Sequence, residues 1–196
     1  MSTTTMSQEV GGGHPPTNVE DKTVYVGIIG SAGRTPIEEL QWSDLAFDRA
    51  VEQIKYILQN VWSLSPDRVV LVSGGSAWAD HVAVRLYLEV MIDHCLASDA
   101  EEEYPTFRGL ELYLPCAFHD SNPGDRRKSP GFDPSTKTGS RLNTLHQNFG
   151  ARVGRDTLVD LRCVRLLGAQ FFENHNDNFF TRNSALAKRC THLIAF

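Results

Sequence analysis

The 196-residue sequence lacks any apolar run long enough to cross a membrane, which argues against an integral membrane protein. Its first residues also lack the charged and apolar regions of a secretory signal peptide, so we expect a cytoplasmic location. The four cysteines, at 95, 116, 163 and 190, form neither a CxxC pair nor a zinc-binding spacing. We therefore predict reduced thiols, with neither a disulfide framework nor a zinc site.

The sequence has fewer basic than acidic residues, with 19 Lys and Arg against 24 Asp and Glu, and its net charge is −5. This balance argues against a general nucleic-acid-binding surface, although it leaves a local basic patch open. Neither a Ser-His-Asp arrangement nor a paired-carboxylate motif can be identified. His175 and Asp177 lie in a dense polar run, but without a further ligand they indicate a hydrogen-bonding loop rather than a metal site. We expect no cofactor.

The length and composition are those of one globular domain. An apolar content of 41% and a charged content of 22% are ordinary, and 196 residues suffice to bury a core. Residues 1–21 are rich in Ser, Thr, Gly and Pro and poor in large apolar side chains, which predicts a disordered tail. We expect a single domain over residues 22–196.

Residues 69–81, VVLVSGGSAWADH, are the stretch around which the chain is organised. An apolar, β-branched strand runs directly into Gly74 and Gly75, and the helical spacing of apolar residues that follows predicts a helix. Such a turn presents backbone N–H groups and a helix N-terminus, which suit a phosphate or another anion. A plain strand-to-helix turn is the alternative.

Several polar side chains of this turn are candidates for ligand binding. Ser73 and Ser76 bring hydroxyls, and Asp80 can accept from a ribose hydroxyl or from loop amides, or serve only as a helix-start residue. Trp78 either stacks on a base or simply fills the site.

The first predicted strand, residues 23–30, ends in a second glycine loop, GSAGR. Gly30, Ser31 and Gly33 present N–H groups there, and Arg34 can hold a phosphate or carboxylate through two hydrogen bonds. Alternatively, Arg34 only caps a surface loop.

The intervening pattern predicts alternating strands and helices. Helices are expected over residues 43–61, with Ser43 or Asp44 as N-cap, and over 79–97, and a third strand over 109–115. The β-α-β-α-β order indicates an α/β fold with a parallel sheet and helices on both faces.

Residues 116–142 interrupt this alternation with several prolines and glycines, which predicts a long loop insertion after the third strand. It is either a mobile basic lid over an anion or a solvated surface insertion. Its basic residues are Arg126, Arg127, Lys128, Lys137 and Arg141.

Near the end of the chain, Asn183 or Ser184 is expected to open a helix, and residues 192–196 form a short strand. Arg182 and Asn183 would then lie immediately before a helix start, at the same rim as the two glycine loops.

The motifs GSAGR, SGGSAWADHVA and TRNSALAKRCTHLIAF, in that order, resemble the SLOG superfamily. This Rossmann-like group contains the lonely-guy phosphoribohydrolases, the DNA-processing protein A and small stand-alone nucleotide sensors, which this chain resembles most. The resemblance implies a three-layer Rossmann-like fold. It also implies that Gly74, Gly75 and Asp80 form the first ligand-binding loop, that the Gly30 loop borders the same pocket, and that Arg182 holds the nucleotide and assists loss of its base.

Two departures from the family's pattern bear on catalysis. Trp78 and Ala79 stand where the family usually has a further glycine. The family's second glycine loop, with its catalytic Glu, would begin directly after Phe196, so the replacement carboxylate would be Glu173, Asp177 or Asp80.

These observations predict binding of a nucleotide or nucleotide-derived ligand. The first alternative is a phosphoribohydrolase that cleaves the N-glycosidic bond of a nucleoside monophosphate, with Arg182 and Glu173 as catalytic residues. The second is a DNA-binding protein that uses the basic insertion. The resemblance also implies a homodimer.

Overall fold

The structure, a computed structural model, describes residues 22–30, 43–97, 105–121, 129–173 and 178–196. Within these ranges five parallel strands form one sheet: β1 (Val24–Ile29), β2 (Val69–Ser73), β3 (Gly109–Leu114), β6 (Gln170–Glu173) and β7 (His192–Ala195). Beside the sheet, β4 (Phe118–His119) and β5 (Gly131–Phe132) form an antiparallel pair. The order of the strands across the sheet is β6-β3-β2-β1-β7, which confirms the predicted α/β class with a Rossmann-like architecture.

Helices cover the two faces of the sheet, as a parallel sheet requires because both of its faces are apolar. The helices are α1 (Asp44–Tyr56), α2 (His81–Leu96), α3 (Lys137–Val153), α4 (Thr157–Leu166) and α5 (Phe179–Arg189). On one face of the sheet, buried side chains of α2 belong to the same hydrophobic core as Leu71 of β2. On the other, Leu186 of α5 packs against Val70 and Val72 of the same strand.

The order of the strands places a topological switch point between β1 and β7. The chain proceeds from β1 through β2 and β3 to β6 in one direction, and then returns across the sheet to β7 on the opposite side of β1. In open α/β sheets ligands bind outside the carboxyl ends of the strands near such a point. Gly30, Gly74 and Glu173 all lie at this carboxyl edge.

Local signals located several elements correctly. Ser43 is the N-cap of α1 and accepts a hydrogen bond from the Ala46 N–H at 3.2 Å. The predicted strands at 23–30, 69–73, 109–115 and 192–196 correspond to β1, β2, β3 and β7.

The start of α5 was predicted four or five residues too late. Helix α5 begins at Phe179, with Asn178 as its N-cap accepting from the Phe180 N–H at 2.8 Å. Arg182 and Asn183 therefore lie within the helix rather than before it. The Asn178 side chain satisfies a helix N-terminus as well as Asn183 or Ser184 would, and the sequence does not distinguish them.

Residues 116–142 are not one continuous loop. They contain β4 and β5, and α3 already begins at Lys137, where the Thr136 hydroxyl accepts from the Gly139 N–H at 2.9 Å. Strand β6 was not predicted at all. Arg126, Arg127 and Lys128 lie outside the described residues, as do residues 1–21, so the predicted lid and tail stay predictions.

Candidate functional site

An ion pair joins the two halves of the chain at the carboxyl edge of the sheet. The Nη1 of Arg182, on α5, donates to the Oδ2 of Asp80 at 2.8 Å, and both side chains are more than nine-tenths buried. Asp80 ends the short 3-10 turn Trp78–Asp80 that precedes α2. Because α5 and α2 cover opposite faces, the pair closes over the end of β2.

The absence of a side chain at Gly74 leaves room for this ion pair. A Cβ atom at position 74 would lie 1.1 Å from the Nη1 of Arg182 and 2.5 Å from the Oδ2 of Asp80. The next residue, Gly75, has a φ of +62°, which L side chains rarely adopt. The predicted glycine turn is therefore present, and its first glycine leaves the space that the guanidinium occupies.

Trp78 is strained and buried. Its φ is +68°, an uncommon value for a bulky residue. Its indole is fully buried, with its ring centroid 4.7 Å from that of Phe149 on α3. The indole therefore packs within the core, and neither face of its ring is accessible to a base. Strain of this kind persists where the surrounding packing enforces it, and it recurs at functional sites.

Ser73 links the strands beneath the turn. Its buried hydroxyl lies 3.0 Å from the Ile28 carbonyl oxygen and 2.7 Å from that of Asp80, so its single hydrogen can be donated to either of them. This hydroxyl therefore positions the turn instead of facing a ligand. The Asp80 carboxylate likewise makes no capping hydrogen bond to α2 and is held by Arg182.

Buried polar atoms without a hydrogen-bond partner gather around the same turn. Within the part of the chain that the structure describes, they include Ser76 Oγ, Trp78 Nε1, His81 Nδ1 and Arg182 Nε. An unsatisfied buried donor or acceptor costs about 1–3 kcal/mol, so native proteins rarely retain several together without a reason. Of these four side chains, that of Arg182 belongs to a residue that lines the smaller of the two cavities described below.

A buried histidine, which sequence reasoning missed, holds the carbonyl side of the turn. The Nε2 of His146 lies 3.1 Å from the Gly75 carbonyl oxygen, and its Nδ1 lies 3.0 Å from the Thr157 hydroxyl. Burial, reinforced by the neighbouring His81, lowers the pKa of His146 to about 3. The ring is therefore neutral, and since a carbonyl only accepts, Nε2 carries the proton. The Thr157 hydroxyl donates to the backbone carbonyl oxygen of His146 at 3.1 Å.

A pocket of about 480 Å³ opens beside the ion pair. Both residues predicted as catalytic, Arg182 and Glu173, contribute to its wall, which is completed by Tyr113, Leu114, Phe171, Phe172 and Ala185. Its volume lies in the range of small-molecule sites. The structure thus brings together two candidates that lie on separate elements.

The Glu173 side chain is oriented by hydrogen bonds from Phe118 and Arg165. Its Oε1 accepts from the Phe118 N–H at 3.3 Å and from the Nη2 of Arg165 at 3.4 Å. These hydrogen bonds engage one carboxylate oxygen and leave the side chain about one-fifth exposed. A carboxylate in this position can accept hydrogen bonds from a ligand or direct a water molecule.

The remaining predicted ligand-binding residues are less closely associated with the pocket. Gly30 packs against the neighbouring elements, since a Cβ there would lie 2.4 Å from the Phe196 carbonyl oxygen and 2.7 Å from the Ala79 Cβ. Asn183 is exposed on α5, next to Arg182. Ser31, Gly33, Arg34 and Asp177 lie outside the described residues, so their predicted roles stay predictions.

A larger cavity of about 680 Å³ lies along α3 and the start of α4, near Asn143, His146 and Asp156. Several of its polar groups are engaged in the fold, while the buried Nε of Arg155, which also lines this cavity, has no hydrogen-bond partner among the described residues. The Asn143 amide is hydrogen bonded to both backbone groups of Phe132, and the Asp156 carboxylate caps α4. We place the candidate site at the smaller pocket, whose wall contains both predicted catalytic residues, Arg182 and Glu173.

Within the described ranges, no helix is long and apolar enough to span a membrane. No group of three or more His, Cys, Asp or Glu residues in those ranges could hold a metal ion.

Comparison with known proteins identifies a viral relative. The chain is 32% identical over 174 residues to the uncharacterized protein R261 of Acanthamoeba polyphaga mimivirus, an alignment covering 88% of this chain and 81% of the viral protein. No protein-family model matches the chain, and no solved structure matches it significantly. At this identity and coverage, the chain belongs to the same protein family as the mimivirus protein R261.

Proposed function

We propose that this protein binds a nucleotide or nucleotide-derived ligand in the pocket beside Arg182, as the resemblance to the SLOG superfamily implies. The observation that carries the proposal is the buried guanidinium of Arg182. It lies across Gly74 at the carboxyl edge of a parallel sheet, with its Nε unpartnered among the described residues. Phosphate is the ligand group that suits such a donor at a glycine turn.

The ion pair prepares Arg182 for this task. Asp80 holds one amino group, so the orientation of the guanidinium is set before a ligand binds and less side-chain entropy is lost on binding. Burial lowers the local dielectric constant, which strengthens the attraction between the guanidinium and a phosphate. Asp80 also offsets the cost of keeping the cation buried in the absence of ligand.

Direct binding measurements test the proposal. Wild-type protein titrated calorimetrically with AMP, GMP, CMP and UMP should bind at least one of them and gain thermal stability with its concentration. The Arg182→Met variant should lose this binding, whereas the matched Arg152→Met variant, altered at an exposed arginine of α3, should retain it. Failure of the wild-type protein to bind any of the four would overturn the proposal, even if Arg182→Met does not fold.

Hydrolysis of the bound nucleotide is the second candidate function, favoured by the presence of Glu173 in the same pocket. The Glu173 carboxylate would take a proton from a water molecule while the oxygen of that water forms a bond to C1′ of the ribose. The bond from C1′ to the base nitrogen would break, and the base would leave with a proton. The products would be ribose 5-phosphate and the free base.

Chromatography of the incubated nucleotide distinguishes binding from hydrolysis. Released base that disappears with Glu173→Gln, while nucleotide affinity is retained, would establish the hydrolase. Nucleotide binding without released base would leave a binding protein.

A further inference from the structure

We infer that the pocket selects ligands that carry a flat aromatic base, and that this base lies against Phe172 while the phosphate lies at Arg182. This inference rests on the proposed function and adds the part of the ligand that the pocket recognises. It depends on an aromatic pair that no sequence motif indicated.

The aromatic pair forms across two neighbouring strands. Tyr113 of β3 and Phe172 of β6 are paired in register, and their rings lie nearly parallel, with centroids 4.8 Å apart and an angle of 21° between the planes. Both residues contribute to the wall of the pocket. Phe172 is 41% exposed, so part of its surface is accessible to a ligand.

The position of β6 explains this exposure. Strand β6 is at the edge of the described sheet, and the buried Leu186 of α5 packs on the more central strand β2. The preceding residue, Phe171, packs near Phe118, with their ring centroids 5.7 Å apart, and joins the core. The fold therefore already uses one phenylalanine of this strand for packing, whereas the exposed surface of Phe172 is not needed for the core.

The ring behind Phe172 is held in place. The Tyr113 hydroxyl donates to the Oε2 of Glu111 at 3.2 Å, and Glu111 is in turn bound by Arg189 through two hydrogen bonds. Burial, together with the Glu111 carboxylate, raises the pKa of Tyr113, so its hydroxyl stays protonated as a donor. A rigid pair of stacked rings presents a preorganised surface to a third aromatic ring.

The neighbouring charge of Arg182 matches the phosphate of a nucleotide. Arg182 supplies the cation for the phosphate, and Phe172 supplies the aromatic surface for the base. Glu173 also lines the pocket, but its carboxylate is held by Phe118 and Arg165 and we assign it no part in recognising the base. The pocket wall therefore contains an aromatic surface and a cation, which are complementary to a base and a phosphate.

Ribose 5-phosphate retains the sugar and the phosphate of a nucleotide but lacks the base. The difference between its affinity and that of a nucleotide therefore measures the contribution of the base. Calorimetric titration of the wild-type protein should show at least one of AMP, GMP, CMP and UMP binding more tightly than ribose 5-phosphate, by about 5- to 150-fold, the range typical of stacking one base on an aromatic side chain. Phe172→Ala should remove this advantage and leave the affinity for ribose 5-phosphate unchanged. Phe172→Trp should retain it.

Phe180→Ala is the matched control, because Phe180 is 78% exposed on α5 and does not contribute to the pocket wall. It should leave both affinities unchanged. Equal affinities of the wild-type protein for ribose 5-phosphate and for the nucleotides would overturn the inference while preserving a phosphate site at Arg182. The inference would also be overturned if Phe172→Ala lowered the affinities for ribose 5-phosphate and for the nucleotides by the same factor. If the wild-type protein binds none of these probes, the proposed function fails and the inference fails with it.

Discussion

The guanidinium of Arg182 occupies the space into which any side chain at position 74 would project. The Nη1 of Arg182 lies 1.1 Å from where the Cβ of a residue other than glycine would stand. The two positions belong to elements far apart in the chain, the turn after β2 and helix α5. Gly74 is therefore required by a tertiary contact.

Replacement of Gly74 by alanine should displace Arg182 and disturb Asp80. We expect Gly74→Ala to lower the free energy of unfolding by more than about 2 kcal/mol, because the overlap involves a buried ion pair, and to weaken nucleotide binding. Urea denaturation measures the first effect and calorimetry the second. The matched control is Gly109→Ala in β3, where a Cβ meets no atom within 4 Å, and it should change stability by less than about 0.5 kcal/mol. Equal stability of the two variants would contradict this account.

Removal of one partner of the buried pair should cost more than removal of both. Asp80→Ala leaves the Arg182 cation buried without its carboxylate, and we expect a loss of about 3–5 kcal/mol in the free energy of unfolding. In the double variant Asp80→Ala/Arg182→Met no uncompensated charge is buried, so its loss should be smaller. Urea denaturation of the wild-type protein and the two variants provides the comparison. A double variant less stable than Asp80→Ala would show that the charge pair does not dominate the energetics of this contact.

Acid should destabilise the protein through His146. Its pKa is about 3 in the folded state, below the ordinary value of 6.5, so the unfolded chain binds a proton more readily than the folded one. The contribution of His146 to stability is thus complete above about pH 6.5 and declines as the pH falls toward 3. At about 1.36 kcal/mol per pH unit, the loss between pH 7 and pH 5 amounts to about 2 kcal/mol.

His146→Gln isolates this contribution, because glutamine can donate to the Gly75 carbonyl oxygen and does not titrate. Urea denaturation of both proteins from pH 7 to pH 5 should show a shallower decline for the variant. Parallel declines would mean that the pKa of His146 is not depressed by its surroundings.

Arginine at position 189 should not be replaceable by lysine. Its Nε and Nη2 donate to the two oxygens of the buried Glu111 at 2.9 and 2.7 Å, and its guanidinium carbon lies 3.7 Å from the centre of the Tyr25 ring. Lysine provides neither the planar pair of donors nor the stacking surface. Arg189→Lys should therefore cost about 1 kcal/mol of stability, the net worth of one hydrogen bond. The neighbouring Lys188 is exposed, and Lys188→Arg should have no measurable effect on the urea midpoint. If both substitutions are neutral, the hydrogen bonds to Glu111 do not stabilise the fold.

The sequence by itself determined the elements whose signals are local. Strands β1, β2, β3 and β7 are short apolar segments, and the N-cap at Ser43 acts on an amide three residues away. The alternation of these segments with helical periodicity is enough to predict a parallel α/β sheet, because each element must bury its apolar side against another layer. The glycine turn at residues 74–75 also followed from a local motif. The role of Arg182 in ligand binding came from the resemblance to the SLOG superfamily and stays a prediction.

Tertiary structure alone decided which of these residues meet. Arg182 pairs with Asp80 across 102 positions, and His146 contacts Gly75 across 71, distances at which no periodicity or capping signal operates. The same holds for Trp78, whose burial against Phe149 depends on the placement of α3, and for Phe172, whose exposure depends on β6 forming the edge of the described sheet. Sequence identifies groups able to bind a phosphate or a base. Only the packing of distant elements determines which groups face the same pocket and which are enclosed in the core.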